Sequence, residues 1–337
     1  MRVSSAILCG SATLALLSAC STGNPQPHVA AGAEAPFVDV AAVTAANGNE
    51  TIVSDNLNSV VSVFNGGGRV TARITAGISQ PTGIATDAAE QLYIANSGAG
   101  NILVYAKPYT AVTLTLADTV GEPLGVAVSG AGVVGVTNGG LGDASGSVSL
   151  YAKGSAKACV TVANNAGLYP QTAAFDAAGN LFVLGNHLVK GRSEPFVAEI
   201  SGGCSATSVA MLRIGNVLAQ PTAIGVRRGS VLIADEPVGN PGPVLGNLDP
   251  VIYTYGPPAN GSLGAPLIVT KLTQGITTAA FALSRNGNRV WIVHSGLAAG
   301  RIEYTFPDGR FMTSQNQAAK GSIFTPGGIA VNPPAIP

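Results

Sequence analysis

The sequence predicts an all-β fold: a six-bladed β-propeller with four antiparallel strands per blade, closed by a C-terminal strand over 325–334. Three observations carry that prediction. A unit of two short apolar strands around a small polar turn recurs six times along the chain. Each copy is followed by further strand of alternating character, and nothing in the repeats sustains a helical period.

The best-formed copy is PTGIATDAAEQLYIANSGAGNILVY at 81–105. The others align to it at 39–64, 123–151, 170–200, 221–255 and 277–306. In each, a first strand of small residues (GIAT, GVAV, TAAF) suits the crowded innermost position of a blade. A turn such as DAAEQ, DAAGN or RNGN follows, where Asp, Asn and Gly accept the backbone angles of a hairpin. The second strand is rich in branched and aromatic residues (LYIA, LFVL, VWIV), and the third alternates. Third strands end at Phe64, Tyr105, Tyr151, Ile200, Tyr255 and Phe306, spaced 41, 46, 49, 55 and 51 residues apart. Weaker fourth strands are read at 113–117, 159–163 and 266–272. One element is left over. TPGGIAVNPP at 325–334 is a further first strand with no blade behind it, and an unpaired edge invites aggregation. It is expected to pair with the N-terminal blade, sharing or shifting the place of 39–45. A seventh blade would need three more strands between 20 and 37, where only irregular sequence stands.

The unit GIATDAAEQLYIANSGAGNILVY resembles the NHL repeat, and it is similar to the wider six-bladed group that includes gluconolactonase-type lactonases and strictosidine-synthase-like proteins. The similarity spans about 37–333, with the second and third copies closest to the pattern. Its motif is structural, so it implies a fold more than an activity. The lactonase likeness implies a divalent metal at the mouth of the central channel, held by carboxylates and Asn. That family's ligand pattern is not recovered here residue by residue, so no catalytic residue, metal ligand or cofactor is assigned from it.

The N-terminus carries an address. Arg2 precedes the apolar run VSSAILCGSATLALL, laid out as a secretory signal too short for a comfortable membrane span. Leu17-Ser18-Ala19-Cys20 resembles the lipobox of bacterial lipoproteins, in which the cysteine is acylated and becomes the first residue. The organisation read from this is a signal peptide over 1–19, a Pro- and Gly-rich tether over 20–36 from a lipidated Cys20, and a propeller over 37–337. The expected partners are a membrane, through the lipid, and an envelope protein or small ligand. Ser21 in place of Asp resembles the pattern of lipoproteins sent to an outer membrane, which makes the cell envelope the expected location. Seventeen basic residues balance 17 acidic ones and are scattered, which leaves no field to steer nucleic acid. Cys159 and Cys204 are the two cysteines of the folded part. An even pair in an exported protein permits a disulfide, but the edges of neighbouring repeats need not approach the roughly 5.5 Å between Cα atoms that a bridge requires.

A polar residue stands just past the second strand in nearly every copy: Asp55, Asn96, Asn138, Asp235 and His294. The fourth copy has Gly185 with Asn186 beside it, and Glu236 follows Asp235. Two readings fit this column. Asp and Asn at a strand end accept backbone N–H bonds and fix a turn; alternatively, the side chains ring one mouth of the channel as a ligand or partner face, with Asp55, Asp235, Glu236 and His294 as a partial set for a hard cation. The connections between second and third strands lengthen through the third, fourth and fifth copies (138–146, 185–195, 235–250), as a binding face would. No Gly-x-Ser-x-Gly, phosphate loop or CxxC is present.

Overall fold

The computed structural model describes residues 50–139, 146–163, 167–236, 249–273, 280–294, 300–316, 326–332 and 334. Of the two units into which the chain divides, Met1–Ala41 and Ala42–Pro337, the described residues all belong to the second. The signal segment, Cys20, the tether and the 39–45 stretch lie outside them.

Blade one holds β1 (Glu50–Asp55), β2 (Val60–Phe64) and β3 (Val70–Ile74). Blade two holds β4 (Pro81–Thr86), β5 (Leu92–Asn96), β6 (Asn101–Tyr105) and β7 (Val112–Ala117). Blade three holds β8 (Glu122–Val128), β9 (Val134–Gly139), β10 (Ser147–Tyr151) and β11 (Val160–Ala163). Blade four holds β12 (Leu168–Phe175), β13 (Leu181–Val189), β14 (Arg192–Ile200) and β15 (Ala210–Ile214). Blade five holds β16 (Pro221–Arg227), β17 (Ser230–Asp235) and β18 (Val251–Tyr255); β19 (Ser262–Gly264) leaves it before β20 (Ile268–Lys271) returns. Blade six holds β21 (Ala280–Leu283), β22 (Arg289–His294), β23 (Gly300–Thr305) and β24 (Phe311–Asn316), and β25 (Pro326–Asn332) comes last. Hydrogen bonding sorts these into six sheets, each running from inner to outer strand in chain order, save that β25 takes the innermost place of blade one. There β25 lies antiparallel to β1, with Thr51 opposite Val331 and Val53 opposite Ile329. The last strand thus closes the ring on the first blade.

A propeller has no single centre of apolar packing, and this one shows why. Its six buried clusters each lie between two neighbouring blades. Ile52 and Val63 of blade one meet Ile94 and Leu103 of blade two, and Trp291 of blade six meets Phe64 of blade one. Each fully buried aliphatic or aromatic side chain contributes roughly 1.5–3 kcal/mol, so every interface depends on both of its blades. Glycine sets how closely the inner strands approach. A Cβ at Gly83 would lie 2.7 Å from Gly125 Cα, and one at Gly125 would lie 2.6 Å from the Gln171 carbonyl oxygen.

Inner strands β4, β8, β12 and β16 each carry a proline within their first three residues and bulge just after it, at Pro81, Pro123, Pro170 and Pro221. Carbonyls at or beside these bulges accept from the preceding blade. Ser54 Oγ donates to Thr82 O, Thr82 Oγ1 and Ser97 Oγ donate to Pro123 O, and Thr137 Oγ1 donates to Gln171 O. This belt joins blades one to four. The positions equivalent to Ser54 and Thr137 are Leu184, Ala234 and Val293 in the last three blades, which carry no hydroxyl.

One expectation is corrected. The stretch 185–195 of blade four is not a loop: β13 and β14 continue through it as a ladder, closed by Lys190 and Gly191 at φ 50° and 77°. Those two left-handed residues form the tight turn that a two-residue hairpin demands. His187, which sequence places in a loop, therefore sits in β13, opposite Leu168 on one side and Glu194 on the other. The rim carries a second device. The segment containing β19 crosses from blade five and pairs in parallel with β15, covering the outer edge of blade four.

Candidate functional site

Five residues of the polar column, Asp55, Asn96, Asn138, Asp235 and His294, are buried, and their positions one strand out from the axis explain why. Asp235 of β17 accepts from the backbone N–H groups of Ala219 and Gln220, at 3.0 and 2.8 Å. Asn96 of β5 accepts from Ser79 N–H at 2.6 Å and donates to Gly77 O and Asn101 Oδ1. Both partners' segments, 75–80 and 215–220, are the links that enter the blade from its predecessor. Asp55 instead holds its own turn, through Asn58 Nδ2 at 2.9 Å. Asn138 bridges to Ser147 and Ser149 on β10. Gly185 departs from the column because the first residues of β12 run against it: a Cβ there would lie 2.2 Å from Tyr169 O. Asn186 beside it is partly exposed in the ladder opposite Pro195, while Glu236 uses its backbone N–H on Gln220 O. His294 ends β22 opposite Gly300.

These side chains do not converge. Among the described residues, no group of three His, Cys, Asp or Glu side chains is placed to hold a metal ion. Asp235 spends both oxygens on backbone N–H groups. The partial cation set therefore does not fit a common centre, and no metal-assisted step is derived from it.

The axis offers a different site. Inner strands of all six blades line a cavity of about 320 Å³, with Thr82, Gln171, Thr172 and Thr222 among its walls. A second chamber of about 180 Å³ shares Ile84, Ile224, Phe281 and Ile329 with the first and continues toward the opposite end. Phe281 packs against Gly225, where a Cβ would lie 3.0 Å from its ring. No ionisable side chain lines either chamber among the described residues. Hydroxyls, an amide and strand backbone suit a small neutral ligand and supply no general acid or base. Sequence reasoning missed these residues, although the repeated Pro-Thr at 81–82 and 221–222 marked the position.

A third location is the cleft between blades two and three, a cavity of about 350 Å³ lined by Asp118, Ser149, Tyr151, Lys157 and Thr161. Burial raises the Asp118 pKa above its usual range, while Val120 N–H, Asn138 and Tyr151 offset part of that effect. Its Oδ2 and the Oδ1 of Asn138 are both buried without a hydrogen bond. A carboxyl whose folded-state pKa lies above its unfolded value favours folding when protonated, and that advantage disappears as pH rises through the folded pKa. Asp118→Asn is therefore expected to raise the melting temperature at pH 7 and to leave it nearly unchanged near pH 3. An amide at 118 can also donate to Asn138 Oδ1. Equal melting shifts at both pH values would show that the carboxylate charge is not the source of the effect.

The arrangement defines a six-bladed β-propeller, and comparison with solved structures agrees. A protein of unknown function from Bacteroides caccae aligns with a TM-score of 0.58 at 11% identity, over 84% of this chain and 98% of that one. A functionally unknown protein from Desulfotomaculum acetoxidans aligns with a TM-score of 0.57 at 12% identity, again over 84% and 98%. Hydrazine synthase from Kuenenia stuttgartiensis aligns at 0.52 and 13% identity, over 74% of this chain and 72% of that one. Likeness at such identity speaks for fold alone. No protein-family model matches the chain, and no curated protein sequence does.

Proposed function

We propose that this chain is an envelope lipoprotein, acylated at Cys20, whose NHL-like propeller serves as a binding scaffold. The observation that carries the reading is Leu17-Ser18-Ala19-Cys20 directly after a short apolar run, with a Pro- and Gly-rich tether between it and the repeats. The bond between Cys159 and Cys204 supports export, because such bridges persist in oxidising compartments. Dual or triple acylation holds a protein to a bilayer far better than a single chain.

The scaffold reading draws support from how the polar column is used. Asp55, Asn96 and Asp235 are spent on turns and interblade links, and Asn138 bonds to β10 of its own blade. This favours recognition at that end by the axial cavity and the extended hairpin of blade four. That hairpin presents Leu188, 50% exposed, beside Lys190 and Arg192 at its tip. Palmitate labelling in a bacterial host tests the anchor. The wild type is expected to take up label and sediment with membranes, and Cys20→Ser to do neither. Membrane recovery and labelling that survive Cys20→Ser would sink the anchored reading.

A further inference from the structure

At the end of the sheets opposite the polar column, the turns of blades five and six touch. The β16–β17 hairpin closes through Arg228 and Gly229, at φ 50° and 76°, with Arg227 opposite Ser230. The β21–β22 turn contains Arg285, Asn286 and Gly287. Arg227 Nη2 donates to Asn286 O at 3.3 Å, and a Cβ at Gly287 would collide with the Arg227 guanidinium. The Arg227 guanidinium also lies 5.8 Å over the Phe306 ring, which fixes its plane. Two touching turns thus carry three arginines, Arg227 and Arg228 close enough to interact and Arg285 on the facing turn. Arg228 and Arg285 are exposed. The two turns follow directly on wall residues of the smaller axial chamber, Val226 and Leu283 lying one and two residues before Arg227 and Arg285.

Their charge is not balanced from within. Arg289, just beyond, is neutralised by Glu303 at 2.8 Å. No carboxylate stands within ion-pair reach of Arg227, Arg228 or Arg285 among the described residues. Asp308, two residues past Phe306, is exposed and makes no ion pair with them. Burial and the neighbouring Arg228 both pull the Arg227 pKa below the usual arginine range, as expected for like charges held together. In a chain with 17 basic residues and no net charge, three of the arginines fall on these two touching turns. Planar guanidiniums presented from two turns match the oxygens of a phosphate group, which they can bind through paired N–H donors.

We infer that Arg227, Arg228 and Arg285 form a binding site for a phosphate-bearing anion at the blade five–six end of the ring. The phosphate belongs either to a free small molecule or to an anionic lipid headgroup, and the chemistry at the protein is the same. This inference does not depend on the lipid anchor, and its test removes the anchor. The full chain carrying Cys20→Ser is compared with the same chain carrying Arg228→Glu and Arg285→Glu as well. Both substitutions fall on exposed turn positions. Melting is recorded with inorganic pyrophosphate and with sodium chloride of equal ionic strength. Sedimentation is measured with phosphatidylcholine vesicles, with and without phosphatidylglycerol.

A melting shift with pyrophosphate alone, lost in the reversed variant, supports the site with a free phosphate as ligand. Binding to phosphatidylglycerol vesicles that falls at least about tenfold in the variant supports it with a headgroup as ligand, given roughly 1 kcal/mol for each basic residue near an anionic surface. Arg69→Glu combined with Arg192→Glu, at two exposed arginines in blades one and four, makes the same change in net charge away from the site. Equal loss of binding in that control, an equal shift with chloride, or no response to either probe would overturn the site.

Discussion

Gly125→Ala is expected to lower stability by about 3 kcal/mol, because its Cβ has nowhere to go. It would lie 2.6 Å from Gln171 O, 2.7 Å from Thr137 Oγ1 and 3.0 Å from Thr172 Cα. Two of those atoms are backbone of the neighbouring inner strand and cannot rotate aside. Thr137 Oγ1 is itself committed, accepting from Gly125 N–H at 2.9 Å while donating to Gln171 O. The methyl group therefore forces blades three and four apart at the axis, where the belt of hydroxyl-to-carbonyl bonds runs. At roughly 2–4 °C per kcal/mol, the melting point should fall by about 6–12 °C. Gly130→Ala supplies the contrast, since a Cβ there meets nothing within 4 Å. It should leave the melting point within about 2 °C of wild type. If the two variants melt together, the inner strands are not in contact as described.

That contact was legible in outline. Small residues in GIAT and GVAV point to an inner strand because nothing larger fits at the axis, and the Gly83–Gly125 approach is the physical content of the pattern. Closure was legible for the same reason: Gly327-Gly328-Ile329 repeats the Thr82-Gly83-Ile84 pattern, so it occupies the same position in blade one. Blade four departs from the sequence expectation because Gly185, Asn186 and Pro195 disfavour a strand by local propensity. Pairing with the first residues of β12 and the Lys190-Gly191 turn override that preference, and neither follows from composition. The column of Asp and Asn stands out in the repeat alignment, but its hydrogen-bond partners do not. Asp235 reaches back 16 and 15 residues, to Ala219 and Gln220 in an interblade link, and nothing in the spacing of the repeat announces a non-local contact. Of the arginines at the blade five–six end, only Arg227 and Arg228 are adjacent in sequence. The turn that carries Arg285 is brought against theirs by the ring, through Arg227 and Asn286.

Replacing Cys159 and Cys204 together by serine should cost about 4 kcal/mol by the chain-entropy estimate for a loop closed across 45 residues. The Cα atoms stand 5.4 Å apart, so the outer edges of blades three and four do come within bridging reach. The need for a staple is local. The outer strand β11 has four residues and pairs with β10 alone, and Cys159 directly precedes it. Neighbouring rims are secured by other means: β19 covers β15, and Thr270 Oγ1 donates to Pro307 O between blades five and six. Among the described residues no strand crosses the edge of blade three, and the bond to the 3-10 turn at Gly203–Ser205 anchors the start of β11 to blade four. Both cysteines are at least partly exposed, and serine there leaves no buried hydroxyl unsatisfied. The double variant should therefore melt about 8–16 °C below the oxidised wild type. Reductant should bring the wild type down to the same point and leave the double variant unmoved. A wild type indifferent to reductant, with a double variant that melts beside it, would mean that β11 is held by its ladder with β10 alone.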